Sequence, residues 1–583
     1  MTVLLAEKDA GDDRASSRRG EQADMALLQT QRGLSPRHLQ LMAIAGSIGV
    51  GLFVGVGGVL ASAGPLPLVI GYVIYGLGFI WPTTLNTAEM VAWLPIRGSI
   101  YELAARFVDP ALGFAMGWTY FFGSVMLVCT EYSAVATVMQ YWNTTISPAV
   151  WVAMAMSVCY FLNMVAVRWY GESEFIMGST KVLLILGLIL ATFITMVGGN
   201  PRHDAYGFRN WTNGDLAHPY YTSGAAGIFL SVCISVRYGV FTVGGPEIIS
   251  VAAGEIRNPR KTIPNVAKMI IARLLFFYVI GVLAVGILCN SRDPRLMGAI
   301  ESGDAGAAAS PWVLGLLNLG ITGFLPGFIN VLILLSGWSC GNAYLYASSR
   351  TLYSLAQDGQ APKFFLKCTK SGVPWVAVTA VTFISLLSFL VASNDAIVVF
   401  GWFVDLTTSS NIVFFTAISW VFIGWRRALK AQGIRLQGKN TISRNSWNIF
   451  HRGKSSSDKK TADGILFPYI APASSWTPYS CILLGGFISI FIGFDTFHPW
   501  STRGFITSYF GVAWFLGMFV LWKTIKRTKF VNPATVDIYA DGRKQAIDDE
   551  CRIWEEGLDD ERVREELRQK NVVVRAWARF WGN

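Results

Sequence analysis

Twelve long apolar stretches dominate this sequence, and they leave few folds open to it. A helix needs about 20 mainly apolar residues to cross roughly 30 Å of hydrocarbon. Residues 40–62, 66–93, 112–140, 149–167, 174–198, 224–252, 267–289, 324–356, 374–393, 396–424, 478–494 and 505–523 form such stretches, the eleventh being the shortest. Only 15% of the residues are charged, against about a quarter in soluble domains, and the mean hydropathy is +0.43. Backbone groups in lipid must be satisfied within the segment, which favours helices. The expectation is an all-α polytopic membrane protein with twelve transmembrane helices. Residues 311–320 are too short to cross and are expected as an outer surface helix.

The formal net charge of +11 comes from short basic runs between apolar stretches, not from one basic domain, so nucleic acid is not an expected partner. Lys and Arg concentrate in cytoplasmic connections. With the N-terminus inside, the inner connections carry Arg97, Arg106, Arg168, Arg257, Arg260, Lys261, Lys268, Arg350, Lys363, Lys367, Lys370 and the dense run from Arg426 to Lys460. The outer ones hold Arg202, Arg209, Arg292, Arg295 and Arg503, so both termini are expected in the cytosol. The Asn-x-Thr sequons at Asn143 and Asn210 fall on the outer side, in keeping with that orientation.

Residues 1–36 read as a disordered cytoplasmic flank without a cleavable signal peptide, 37–525 as the transmembrane domain, and 526–583 as a polar cytoplasmic tail. The eight cysteines show no ligand spacing and the five histidines lie outside the spans, so neither a metal nor a cofactor is expected.

Two spans look breakable. The first carries Gly46, Ser47, Gly49, Val50 and Gly51, with glycines dense at its centre; the sixth carries Gly244-Gly245-Pro246-Glu247. Proline removes a backbone donor and disfavours a continuous helix. These spans open two successive five-helix units, about 38–200 and 222–425, with helices eleven and twelve (about 478–523) left over. Interrupted helices at matching positions of two halves point to a transporter's binding site; close helix packing is the other reading of such glycines. N–H groups at the start of the half-helix after Gly51 suit a carboxylate. Free carbonyls near Thr242 to Gly244 suit an ammonium, so a zwitterion can be held with little side-chain charge.

Ionisable residues inside the spans should face the bundle interior, because each costs about 2.5–3.5 kcal/mol at a helix centre. Lys181 in span five is expected to carry the coupling proton. Arg237 shares a face with Phe241 and Gly244, which points it at the break, against substrate or a carboxylate such as Glu131 of span three. A structural ion pair is the alternative for Arg237, and a permanently paired or snorkelling lysine for Lys181. Glu247 is expected to organise the unwound turn, Glu89 and Asp405 to be structural, and Arg273 to snorkel to the cytoplasmic surface.

At these residues the chain resembles the fungal amino-acid permeases of the amino acid–polyamine–organocation superfamily. The likeness runs from about Leu34 to Ile538, through RHLQLMAIAGSIGVGLFVGVG (37–57), FVDPALGFAMGWTYFF (107–122), YGESEF (170–175), GGPEIISVAAGEIRNPRKTIP (244–264) and NAYLYASSRTLYSLAQDGQAPKFF (342–365). The Gly-Pro-Glu of span six and YGESEF look most like the proline-permease branch. The resemblance implies the 5+5 inverted-repeat fold of LeuT-type transporters and proton symport of amino acids, usually across the plasma membrane. It places the carboxylate-binding backbone at Gly46 to Gly51 and an aromatic cover at Phe241. It also matches Lys181 to a lysine that replaces a sodium ion in many relatives. Val50 stands where the family usually has Thr, Val243 where it has Phe, and Arg237 and Val240 where the proline branch tends to have Lys and Phe. These departures argue against strict proline specificity and leave proline, alanine, glycine or 4-aminobutyrate as candidate substrates. The partners expected are the amino acid, the proton, the bilayer, and ubiquitin or trafficking machinery on the tails. A non-transporting amino-acid receptor and a permease for another small amine are the alternatives; an enzyme has no supporting motif.

Overall fold

The computed structural model describes residues 48–540 apart from 97–98, 165–166, 213–214, 245–246, 248–258, 303–309, 370–371, 435–436, 439–465 and 468, together with 544–545, 547–549 and 551. The protein is all-helical, relieved only by a parallel pair of two-residue strands at Gln437–Gly438 and Leu466–Phe467 among the described residues. Among those residues ten helices are long and apolar enough to cross a membrane, and two shorter apolar helices join them.

In chain order the helices are α1 (Val50–Ala63), α2 (Pro65–Trp93), α3 (Ser99–Phe107), α4 (Pro110–Met139), α5 (Pro148–Met164) and α6 (Val167–Met196). There follow α7 (Gly224–Thr242), α8 (Thr262–Leu288), α9 (Pro294–Ser302), α10 (Pro311–Asn318) and α11 (Phe324–Gln357). The last are α12 (Trp375–Ala392), α13 (Ala396–Ala431), α14 (Thr477–Phe491) and α15 (Thr502–Lys526).

Local chemistry sets several helix starts. Gly64, at φ +84°, takes a conformation that an L side chain resists, and Pro65 then opens α2 with its φ already fixed. Asp109 caps α4: its carboxylate accepts the Ala111 N–H at 2.8 Å ahead of Pro110 at the first helical position. Within α2 and α8 one turn each widens to a π-helix, at Gly76–Ile80 and Leu274–Val279.

The long helices α4, α11 and α13 lie at the centre, and α4 is buried over most of its length. By contrast α6, α14 and α15 present Leu183, Leu190, Phe193, Leu483, Ile490, Leu516 and Val520 outward, as a lipid-facing rim requires.

Two expectations need correction. The segment 311–320 does form a short helix, α10, but Pro311 to Leu316 are buried instead of lying on the surface. Ser310 and the Trp312 indole donate to the carbonyls of Phe53 (2.8 Å) and Leu52 (3.3 Å), so α10 covers the first turns of α1. Polar donors at the start of an otherwise apolar helix explain why it inserts. Nor is the start of the tail a free flank. Val531 N–H bonds Val108 O at 2.9 Å, Gln432 donates to Val536 O at 2.6 Å, and the Lys544 ammonium sits 3.9 Å from the Trp93 ring centroid. Residues 552–583 lie outside the described residues, as do 1–47, which hold the expected N-terminal flank.

Asp109 also pairs with Lys523 of α15 and accepts from Thr528 at 2.7 Å, all with its own side chain fully buried. Asp109→Ala removes the cap and strands a partly buried ammonium. It should destabilise the solubilised protein by on the order of 2 kcal/mol, read as a lowered Tm by fluorescence-detected thermal unfolding; an unchanged Tm contradicts this role for Asp109.

Candidate functional site

At the two expected breaks, described helix begins just after Gly49 on one segment and ends just before Val243 on the other. Gly49 is extended (φ −108°, ψ −171°), and helix begins only at Val50, as a 3-10 turn. On the other side α7 stops at Thr242, Val243 is extended (φ −108°, ψ 93°), and Gly244 is not helical. Gly46, Ser47, Gly245 and Pro246 lie outside the described residues, so this geometry begins at Ile48 on the first chain segment and ends at Gly244 on the second.

These ends meet. A Cβ on Gly51 would lie 2.5 Å from the Phe241 ring and 2.9 Å from the Thr242 methyl; glycine is what lets them approach. The Tyr238 hydroxyl donates to the Gly51 carbonyl at 3.0 Å. Tyr72 of α2 pairs with the Thr242 hydroxyl at 2.8 Å. Phe241 is 7% exposed and meets Phe400 of α13 edge-on, their ring centroids 6.1 Å apart, so an aromatic layer roofs the junction.

Glu131 of α4 reaches the start of α1. It is 2% exposed, and its carboxylate accepts the Val50 N–H at 3.3 Å and a hydrogen bond from the Cys340 thiol of α11. A Cβ on Gly49 would collide with this carboxylate, and one on Gly337 with the Val50 side chain, so two glycines make room for the contact. An anion at the N-terminal end of a helix is where the helix dipole and free N–H groups favour it. Lys181 of α6 is fully buried and lies close enough for its charge to act on both Glu131 and Glu174.

Arg237 does not meet Glu131. Its guanidinium holds Asp405 of α13 at 2.5 Å and Asp495, after α14, at 3.2 Å. Tyr220 donates to Asp495 at 2.9 Å and Thr507 to Asp405 at 3.3 Å. Arg237 lies one turn from Phe241 along α7, and that offset takes it to a separate ionic cluster beside the aromatic layer. Asp405 therefore has a partner the sequence did not offer, and Asp495 was missed altogether. An acidic residue inside span ten and an arginine inside span six were the one signal available for this cluster.

Arg273 is likewise not at a surface. It is 2% exposed and donates to the Gly244 carbonyl at 2.6 Å, filling one of the acceptors left by the end of α7. Glu247, 4% exposed, lies where its charge reaches Tyr75, Tyr120 and Tyr344. Glu89 pairs with Arg426 and accepts the Ala471 N–H at 2.8 Å, remote from the junction.

A buried junction of two helix ends, flanked by acidic and basic side chains in a bundle of helices long and apolar enough to cross a membrane, fits a multi-pass permease. Residues 38–442 match the amino acid permease family model, and the chain belongs to that family. It is 37% identical over 553 residues to the proline-specific permease of Emericella nidulans, covering 94% of this chain and 93% of that protein. A probable proline-specific permease of Schizosaccharomyces pombe is 36% identical, with 83% and 82% covered. The proline-specific permease of Saccharomyces cerevisiae is 37% identical, with 84% and 74% covered.

Gly51→Ala sets a methyl against Phe241 and Thr242 and should part the two helix ends. Amino-acid uptake is expected to fall at least about ten-fold (some 1.4 kcal/mol) with surface expression retained; uptake at the normal level would show that the close approach does not matter.

Proposed function

We propose that this permease imports neutral amino acids together with protons, by alternating access about the junction of α1 and α7. The observation that carries the proposal is the meeting of the start of α1 at Gly51 with the end of α7 at Phe241–Thr242. Broken helices tolerated at membrane depth line a cavity or a site. The reading extends to a twelve-span, 5+5 inverted repeat with α14 and α15 outside it. In support, the four spans α2, α4, α5 and α6 and their counterparts α8, α11, α12 and α13 run in parallel lengths, 29, 30, 17 and 30 residues against 27, 34, 18 and 36. The π turns also fall in α2 and α8, which are counterparts.

The electrostatics favour a zwitterion. Arg237 is neutralised by two aspartates, and the Lys181 charge acts on two glutamates, so neither cation offers an unmatched charge to a substrate. Glu131 now holds the Val50 N–H. As substrate enters, its ammonium draws the Glu131 carboxylate away and its own carboxylate takes the amide N–H groups at the start of α1, from Gly49 to Gly51. Phe241 covers the bound molecule, and the carbonyls of Thr242 to Gly244 share the ammonium. Lys181, taking or losing a proton beside Glu131, then links substrate occupancy to protonation. Gly46 and Ser47 extend the same carboxylate-binding backbone.

Proline, alanine, glycine and 4-aminobutyrate remain the candidate substrates, since the proline branch tends to differ from this chain at Arg237 and Val240, and the family at Val50. The proposed setting is the plasma membrane with both termini cytoplasmic, where the tails are open to ubiquitin and trafficking machinery.

Radiolabelled uptake by permease-deficient yeast, over a panel of amino acids at two pH values, tests this. Uptake should rise at acidic external pH, collapse with a protonophore, and fall at least about ten-fold in Lys181→Met. Uptake indifferent to pH and protonophore rejects proton coupling, and binding without accumulation favours a receptor. Undiminished proton-driven uptake by Lys181→Met removes Lys181 from the mechanism.

A further inference from the structure

Span five carries a second buried ionisable group that the transport scheme has not used. Glu174 is 7% exposed and stands seven residues, two helical turns, before Lys181 on one face of α6. At 1.5 Å per residue the two Cα atoms are about 10 Å apart along the axis. Lys181 lies five residues, about 8 Å, inside the apolar span Ile176–Met196, and Glu174 lies just outside that span, between Lys181 and the helix end that carries Val167. That end is the one the basic loops assign to the cytoplasm.

The carboxyl is built into a polar seam between three helices. Ser339 of α11 donates to one oxygen at 2.9 Å, and the Asn342 side chain faces the same carboxyl. Asn163 of α5 bonds the Asn342 side-chain oxygen at 2.8 Å. The second carboxyl oxygen, also buried, has no hydrogen-bond partner among the described residues. The titratable groups that face Glu174 there are Lys181 on its own helix, Cys159 on α5 and Cys340 on α11, and Glu131 of α4 shares the influence of the Lys181 charge. Burying the Glu174 carboxyl costs free energy unless it is paired and hydrogen-bonded. Stability alone gives weak reason to keep it, because one cation serves two carboxylates here.

We propose that Glu174 is the inward proton acceptor of this permease, taking the coupling proton from Lys181 and passing it to the cytoplasm. The inference rests on the proton-coupled reading above. Outside, the proton enters with the substrate on the Glu131 side and charges Lys181. After the inward change, the Lys181 ammonium gives one proton to the Glu174 carboxylate, leaving a neutral amine and a neutral carboxylic acid. Glu174 then releases the proton to cytoplasmic water and regains its charge. Glu131 and Glu174 both lie within reach of the Lys181 charge, Glu131 at the start of α1 and Glu174 towards the end of α6 that carries Val167.

The test compares wild type, Glu174→Gln, Glu174→Asp and Lys181→Met in proteoliposomes, using the amino acid that the uptake panel identifies. Two readouts are taken: net uptake against external pH with and without protonophore, and substrate–substrate exchange at equal pH on both sides. Glu174→Gln should keep exchange within about two-fold while net proton-driven uptake falls at least ten-fold and its pH profile flattens. Glu174→Asp should restore part of the net uptake with a displaced pH midpoint. A wild-type pH profile and uptake in Glu174→Gln overturn the proposal, as does an equal fall in exchange and net uptake with the profile unchanged. Should Glu174→Gln fail to reach the membrane, Glu174→Asp decides: a displaced midpoint supports the relay, and an unmoved one overturns it. Wild-type uptake insensitive to the protonophore defeats proton coupling itself, an outcome distinct from any that defeats Glu174 alone.

Discussion

The close approach of the Gly49–Gly51 backbone to the side chains of Glu131, Phe241 and Thr242 is the constraint on which the other features depend. Any side chain larger than hydrogen at Gly49 or Gly51 would push Phe241, Thr242 or Glu131 away from α1. The described helix starts at Val50 and ends at Thr242, which leaves N–H and C=O groups there without partners inside the helix. Those groups then need acceptors and donors within the bundle. Glu131 supplies one at Val50, Tyr238 another at Gly51, and Arg273 a third at Gly244.

Each of these partners brings its own cost and its own constraint. A buried glutamate calls for a cation, which Lys181 provides; a buried arginine in α7 calls for acids, which α13 and the turn after α14 provide. The last pairing matters for architecture, since α14 and the segment after it lie outside the two five-helix units proposed here. Asp495 ties them to α7 through Arg237, so the extra helices are anchored to an element that the transport cycle is proposed to move. A paired charge in low dielectric is held firmly, and removing one partner leaves the other stranded at a cost of about 3–5 kcal/mol.

Much of this was legible in the sequence, because hydropathy and glycine density are local properties. The long helices were visible from the lengths of their apolar runs, and the helix ends at Gly49 and at Val243–Gly244 from residues that disfavour helix. What was not legible depended on pairing across distance. Arg237 and Asp405 are separated by 168 residues, and Arg237 and Asp495 by 258, so their meeting is a product of helix packing alone. Arg273 read as a snorkelling residue because it lies near a span end, yet the Gly244 carbonyl draws it inward. Likewise α10 read as a surface helix from its length, while the carbonyls of Leu52 and Phe53 bind the donors at its start. In these last two cases a backbone carbonyl, invisible in a hydropathy profile, decided the outcome. The first half of span one, with Gly46 and Ser47, and the residues just beyond Gly244 lie outside the described residues, so the sequence reading stands there on its own.

An experimental density map of the protein with its amino acid bound tests the central claim most directly. The account predicts the ligand's carboxylate against the amide groups of Gly49 to Gly51, its ammonium between Glu131 and the Thr242–Gly244 carbonyls, and the Phe241 ring over it. Density for the ligand elsewhere, or unbroken helix running through residues 46–51 and 242–248, would contradict it.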